Sequence, residues 1–150
     1  MLTKVKALQY WKSEHQDLQG CQDAWNYDVQ RGLFAVADGA GTTLFPAIWA
    51  RILAEHFAQI PLLGDDPFEV EWWVRLAQER YKAEIPAMEQ LLDWSVRQKA
   101  QSQGSDSTLA TLRFSAIELD QARAELLVFG GSAQYGCVSL ALQLPAATDQ

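Results

Sequence analysis

The sequence of 150 residues has few of the features that mark several protein classes. It contains only two cysteines, Cys21 and Cys137, so no disulfide framework is predicted. No apolar run reaches the roughly 18 residues of a membrane-spanning helix. Lysine and arginine number 12 against 19 acidic residues, which gives a net charge of −7. This balance argues against a surface that binds nucleic acid or an acidic membrane.

The composition that remains is that of a globular domain. Hydrophobic residues make up 49% of the chain and charged residues 21%, so one domain over residues 1–150 with a sizeable core is predicted. The first residues, MLTKVKALQYWKS, lack the apolar centre of a secretion signal. We therefore expect a cytoplasmic protein with reduced thiols.

The periodicity of apolar residues predicts strands first, helices next and strands last. The predicted strands are Val5–Trp11, Asp23–Tyr27, Leu33–Ala37, Thr108–Phe114, Glu125–Phe129 and Tyr135–Leu142. The predicted helices run from the region of Leu44 to Ile60, from Pro67 to about Glu84, and from about Ala87 to Gln101. Neighbouring strands joined by short turns usually pair antiparallel. The predicted fold class is therefore α+β, with helices segregated from an antiparallel sheet.

The stretch from Gly20 to Thr43 carries the chemistry. Asp23 and Asp38 bracket the apolar run Leu33–Ala37, which we interpret as a central strand buried on both sides and ending in a loop at Asp38. If the two segments pair antiparallel, both carboxylates emerge at one end of the sheet, where they suit Mg²⁺ or Mn²⁺. In the alternative interpretation, Asp23 begins a turn and Asp38 caps the following helix. Spacing alone favours this second interpretation.

The remaining candidates around this stretch are less specific. His15 lies in a polar loop before Cys21, whereas His56 falls inside a predicted helix and is interpreted as structural or solvent-facing. Gly39-Ala40-Gly41 lacks the lysine and the spacing of nucleotide-binding loops, but a tight turn there would free a backbone carbonyl toward a cation. A nucleophilic role for Cys21 is not predicted, since the sequence places no activating cationic residue beside it.

Taken together, these motifs resemble the bacterial branch of the metal-dependent protein phosphatases of type 2C. The similarity lies in SEHQDLQGCQDAW at 13–25, LFAVADGAGTT at 33–43 and the amphipathic helix that follows. Two later segments are also similar to that family: STLATL at 107–112 and LLVFGGSAQYG at 126–136. The order and spacing agree across roughly residues 5–140.

The resemblance implies a layered α-β-β-α sandwich that hydrolyses phosphoserine and phosphothreonine in phosphoproteins. It implies that Asp23, Asp38 and the Gly39 carbonyl bind two Mg²⁺ or Mn²⁺ ions, which activate a hydroxide for attack on phosphorus. Under this resemblance His15 takes part of the role of a phosphate-binding arginine, because Leu18 stands where many relatives have that arginine.

Two departures from the family pattern bear on activity. Gly131 stands where the family has a further aspartate, and the resemblance covers only the N-terminal portion of the family's domain, without its C-terminal half. The expected site therefore has two secure carboxylates, and hard-cation affinity follows ligand charge. The alternative function is a catalytically impaired scaffold that acts as a binding or regulatory module. An incomplete sandwich also exposes apolar sheet surface, which predicts a homodimer or association with a completing segment.

Overall fold

The computed structural model describes residues 21–40, 44–64, 66–85, 94, 105–115, 123–132 and 138–144. These contain seven regular elements: β1 (Asp23–Asp28), β2 (Leu33–Gly39), α1 (Pro46–Gln59), α2 (Pro67–Glu84), β3 (Asp106–Ser115), β4 (Arg123–Ser132) and β5 (Val138–Leu144). The predicted strand Val5–Trp11, His15 and, apart from Trp94, the predicted helix from Ala87 to Gln101 lie outside the described residues.

The five strands form one antiparallel sheet in the order β1-β2-β3-β4-β5. A four-residue turn joins β1 to β2, with the Gly32 N–H donating to the Val29 carbonyl oxygen at 3.3 Å. Gly32 has a φ of 67°, a conformation that glycine adopts without steric cost. Together with the two helices, this sheet confirms the α+β class.

The helices lie on one face of the sheet. α1 packs on β1, β2 and β3, and α2 packs on α1. Their shared core is apolar and almost fully buried, and it includes Leu33, Ala35, Ala37, Trp49, Ile52, Leu53, Phe57, Trp73, Ala77 and Leu109. Burying apolar surface contributes about 25 cal/mol per Å², so this layer supplies most of the stability of the described residues.

The helix α2 forms as its sequence predicts. Asp66 is the N-cap, and its Oδ1 accepts from the N–H groups of Phe68 at 2.9 Å and Glu69 at 3.2 Å. Pro67 follows in the first turn, where its missing N–H costs nothing. The helical spacing of the apolar residues predicts a buried stripe, and the structure confirms it at Val70, Trp73, Val74, Ala77 and Tyr81. Tyr81 donates its hydroxyl to the Leu44 carbonyl oxygen at 2.8 Å, and burial raises the pKa of Tyr81 to about 12.

The start of α1 differs from the prediction. The sequence predicts that Thr42 or Thr43 supplies the N-cap oxygen and that Pro46 falls in the first turn. The N-cap is instead Phe45, with a φ of 50° and no side-chain capping bond. Pro46 then occupies the first turn as predicted.

The central strand β2 also differs from the prediction in two ways. It extends through Asp38 and Gly39 instead of ending in a loop after Ala37, because both residues pair with β1 or β3. It is also buried on one face only, since Val36 is 57% exposed while Ala35 and Ala37 are buried. Likewise β4 continues without interruption to Ser132, because Gly130 and Gly131 pair with β3.

The two described helices do not have the features of a membrane-spanning helix. Neither α1 nor α2 combines the length and the apolar character needed to cross a bilayer, and the finding covers the described residues only.

Candidate functional site: an aspartate pair at one end of the sheet

Asp23 and Asp38 lie directly opposite each other in the β1–β2 pair. Both side chains are exposed. They lie on the same side of the sheet, because opposite residues of an antiparallel pair point the same way and successive residues alternate. The hairpin therefore brings together the two carboxylates that the sequence analysis singled out, on the face that the helices do not cover.

The hydrogen-bonding pattern indicates that the two aspartates are in close proximity. The Gly39 N–H donates to the Gln22 carbonyl oxygen at 3.2 Å, so Gln22 and Gly39 form a hydrogen-bonded pair. Hydrogen-bonded and non-hydrogen-bonded pairs alternate along an antiparallel ladder. Asp23 and Asp38 are consequently a non-hydrogen-bonded pair, the type with Cα atoms about 4.5 Å apart and side chains closest together.

Neither aspartate has the structural role that the alternative interpretation gave it. Asp23 is the first residue of a strand and does not begin a turn. Asp38 is inside β2, and the N-cap of α1 is Phe45, seven positions later. The helix-capping interpretation, which spacing alone favoured, is therefore wrong.

The backbone of Asp38 is fixed from both sides. It pairs with Asp23 on one side and Thr108 on the other. In addition, the hydroxyl of buried Ser107 donates to the Asp38 carbonyl oxygen at 2.8 Å. A carboxylate on such a backbone loses only side-chain rotamer entropy when it binds a ligand, which favours binding.

Gly39 allows α1 to begin next to this pair. A Cβ atom at Gly39 would lie 2.8 Å from both the Gln22 and the Pro46 carbonyl oxygens and 2.9 Å from the Pro46 carbonyl carbon. These are backbone atoms, so they have little freedom to move away. Only glycine lets the first turn of the helix approach the end of β2 this closely. A metal-binding role for the Gly39 carbonyl stays a prediction.

The structure adds residues that the sequence analysis did not assign to this site. Thr108 is exposed and pairs with Asp38. Asp106 is two residues earlier in β3, and its carbonyl oxygen accepts from the Ala40 N–H at 3.0 Å. Alternation places Asp106 on the same face as Thr108, diagonally from Asp38. Asp106 and Thr108 are two positions apart in the segment GSDST at 104–108. In a strand this spacing places both side chains on the same face, and it is the signal from which their position could have been predicted.

The described residues do not form a complete metal-binding cluster. Within them, no three His, Cys, Asp or Glu side chains lie close enough together to hold an ion. The donor set present is thus one pair of carboxylates on an exposed face. This set fits a Mg²⁺ or Mn²⁺ ion that keeps several water ligands, because these cations prefer oxygen and often use one or two carboxylates.

His56 and Cys21 are not part of this pair. His56 is 5% exposed, and its ring lies 4.6 Å from the ring of Trp73 between the two helices. This buried position agrees with the structural alternative and excludes the solvent-facing one. The Cys21 sulfur lies 3.9 Å from the Asp23 carbonyl oxygen. His15, the third predicted catalytic residue, lies outside the described residues.

Comparisons with known proteins provide no relative for this chain: no family model, no curated protein and no solved structure matches it.

Proposed function

We propose that this chain is a metal-dependent phosphatase domain in which Asp23 and Asp38 hold Mg²⁺ or Mn²⁺. Its substrates would be phosphoserine and phosphothreonine side chains of phosphoproteins, as the sequence resemblance implies. The observation that supports the proposal is the cross-strand pairing of two exposed aspartates in the closest register that an antiparallel sheet provides.

Electrostatics is the reason why this pairing favours a cation. Like charges directly opposite each other destabilise a strand pair. A divalent cation between the carboxylates converts this repulsion into two attractive contacts with hard oxygen ligands. An unliganded aspartate pair at this position would cost stability, whereas an aspartate pair that binds a cation would be stabilised by it.

The roles of the chain's own groups follow from their positions. The two carboxylates would hold the ion at the open face of the sheet, while the fixed backbone of Asp38 keeps them in place. A bound divalent cation would make a water molecule more acidic and would neutralise charge on the phosphoryl group. This chemistry needs no serine or cysteine nucleophile in the chain.

The layered α-β-β-α arrangement belongs to the same proposal. The described elements provide one helical layer and one sheet. A second sheet would pack on the open face, about 10 Å from the first, and would form a cleft beside the aspartate pair.

A second candidate function is a phosphatase-like scaffold that binds a partner without turnover. The observation that favours it is the absence of a third metal-binding side chain near the pair among the described residues. Two carboxylates hold a divalent cation weakly, so such a domain could bind a metal and a phosphorylated partner without catalysing hydrolysis at a useful rate.

Calorimetric titration with Mn²⁺, combined with hydrolysis of p-nitrophenyl phosphate, tests both candidates. Asp23→Asn and Asp38→Asn each remove one carboxylate with little change in volume. Glu71→Gln is the matched control, because it neutralises an exposed acidic side chain on α2. We expect Mn²⁺ binding to weaken at least about tenfold in either aspartate variant and to remain unchanged in Glu71→Gln.

Each outcome of these experiments separates the candidates. Hydrolysis that requires Mn²⁺ and is lost in both aspartate variants supports the phosphatase and excludes the inactive scaffold. Binding without hydrolysis at any metal concentration supports the scaffold. If the unmodified chain binds no Mn²⁺, or if Glu71→Gln weakens binding as much as Asp38→Asn does, the aspartate pair is not a metal site.

A further inference from the structure

The open face of the sheet is apolar across several strands. Trp25 and Val36 form one cross-strand pair and are 43% and 57% exposed. Ala110 and Val128 continue the same row on β3 and β4, and Val128 is 37% exposed. Exposed apolar patches of this kind mark interaction sites. The polar residues of this face that the structure describes lie at one end, with the aspartate pair.

Aromatic side chains make part of this face rigid. The rings of Trp25 and Tyr27 are stacked 5.7 Å apart, and Tyr27 stacks on Phe34 at 6.5 Å. Phe34 in turn contacts Phe114 edge-on at 5.8 Å. Side chains that are already ordered by stacking lose little entropy on binding. The four rings therefore provide a preformed contact surface of low entropic cost.

The area of the face is sufficient for a stable interface. The sheet has five strands, and β2 is seven residues long. At about 4.8 Å between strands and about 3.3 Å per residue, the face covers roughly 550 Å². Two such faces in contact bury about 1,100 Å², which exceeds the roughly 1,000 Å² expected of a biological interface.

We propose that the occupant of this face is a second copy of the same chain, packed sheet against sheet. Two identical sheets have the same twist, so their faces pack with strands about 30° apart and side chains interdigitated. The contact would be isologous, with the same patch on both copies. The dimer would have four layers in the order α-β-β-α, with one helical layer and one sheet from each copy.

The charges determine the orientation of the two copies. A two-fold axis along the strands would place both aspartate pairs at the same end of the interface, where their like charges lie nearer to one another. A two-fold axis across the strands places the aspartate pairs at opposite ends of the interface. Since like-charge contacts oppose association, the second orientation is the one we assign. The dimer then needs no metal ion and leaves both aspartate pairs at its rim.

Sedimentation velocity under reducing conditions tests the proposal on the full chain. We expect a species of twice the 16.8 kDa chain mass. Val36→Lys places a charge within the apolar row of the face. The dissociation constant of the dimer should then rise roughly a hundredfold or more, because an unpaired charge is strongly disfavoured in an interface. Leu63→Lys is the matched control: Leu63 is 62% exposed in the segment between the helices, and this change should leave the dimer intact.

The proposal is overturned by any of three results. The unmodified chain sediments as a monomer at all concentrations, or its dimer survives Val36→Lys, or Leu63→Lys dissociates it equally. Circular dichroism establishes that the variants are folded, and Tyr27→Lys, at a residue 41% exposed, replaces Val36→Lys if that variant unfolds. A dimer that dissociates on addition of EDTA would refute the assigned orientation, whereas an unchanged mass supports it.

Discussion

The two faces of the sheet are built from the same strands but differ in nearly every physical property. On the helix-covered face, Ala35, Ala37 and Leu109 are at most 2% exposed. On the open face, their chain neighbours Val36 and Thr108 are exposed. The difference shows that the described part of the chain completes the core on one face and leaves apolar surface exposed on the other.

The two faces of the sheet also differ in how their charged groups are paired. Between the helices, two arginines and two glutamates form a network in which every contact joins opposite charges: Arg51 with Glu55 and Glu84, and Arg80 with the same two glutamates. The Arg51 hydrogen bond lowers the pKa of Glu84. On the open face, Asp23 and Asp38 place like charges opposite each other. The four charges between the helices are thus paired with opposite charges, whereas the two aspartates of the open face lie opposite a like charge.

The largest effect expected from this comparison concerns two tryptophans. Trp49 of α1 is fully buried and contacts the Tyr81 ring edge-on at 5.6 Å. Trp49→Ala should lower the free energy of unfolding by about 4 kcal/mol, since it removes a large buried ring and leaves a cavity. Trp25→Ala on the open face should cost only about 1 to 2 kcal/mol. Urea unfolding, followed by circular dichroism, measures both.

The losses in the free energy of unfolding for Trp49→Ala and Trp25→Ala are to be compared at protein concentrations where the unfolding midpoint no longer depends on concentration. Dimer dissociation then makes no contribution to either value. Equal losses for Trp49→Ala and Trp25→Ala would show that the open face is covered within the chain itself, and the contrast between the faces would be wrong.

The helical side was the easier one to predict from the sequence. The signals of α2 are local: Asp66 caps, Pro67 starts the helix, and apolar residues recur at helical spacing. Local chemistry is not sufficient for β2, where a run of small and apolar residues suggested burial on both faces. Whether Val36 is covered depends on a layer that the local sequence does not specify, so its exposure was not predicted.

The candidate site was predictable in part. An antiparallel hairpin between residues 23 and 38 brings both aspartates to one end of the sheet, and the sequence analysis anticipated this arrangement. It did not determine the register, which depends on the length of the turn before Leu33. It also missed Asp106, because the proximity of β3 to β2 depends on a connection of more than sixty residues.

The next prediction concerns the pH dependence of stability, which arises from His56 on the helix-covered side. Burial lowers the pKa of His56, and the charge of Arg80 lowers it further, against an opposing hydrogen bond with the Trp73 backbone. The imidazole Nε2 atom has no hydrogen-bond partner among the described residues. In the unfolded chain the pKa is the ordinary value of about 6.5, so on acidification the unfolded state binds the proton first.

Stability from this group is therefore fully present above about pH 6.5 and decreases as the pH falls toward the lower pKa of the folded state, by at most about 1.4 kcal/mol per pH unit. His56→Phe keeps an aromatic ring beside Trp73 and removes the titration. Urea unfolding at about pH 7.5 and about pH 5.5 should show a smaller loss for His56→Phe than for the unmodified chain. The same loss in both proteins would contradict the assignment.

The smallest expected effect tests the open side, and its sign is the informative quantity. In the absence of divalent cations, Asp38→Asn should raise the free energy of unfolding by about 0.5 kcal/mol, because it removes the repulsion with Asp23 across the strand pair. With Mn²⁺ in excess the order should reverse, since only the unmodified chain gains binding energy in the folded state. Glu71→Gln serves as the control, because Glu71 forms a salt bridge with Arg75 at 2.7 Å, and its loss should be slightly destabilising with or without the metal. If Asp38→Asn is destabilising without any cation, the two carboxylates do not repel each other, and the electrostatic argument for a cation at this end of the sheet fails.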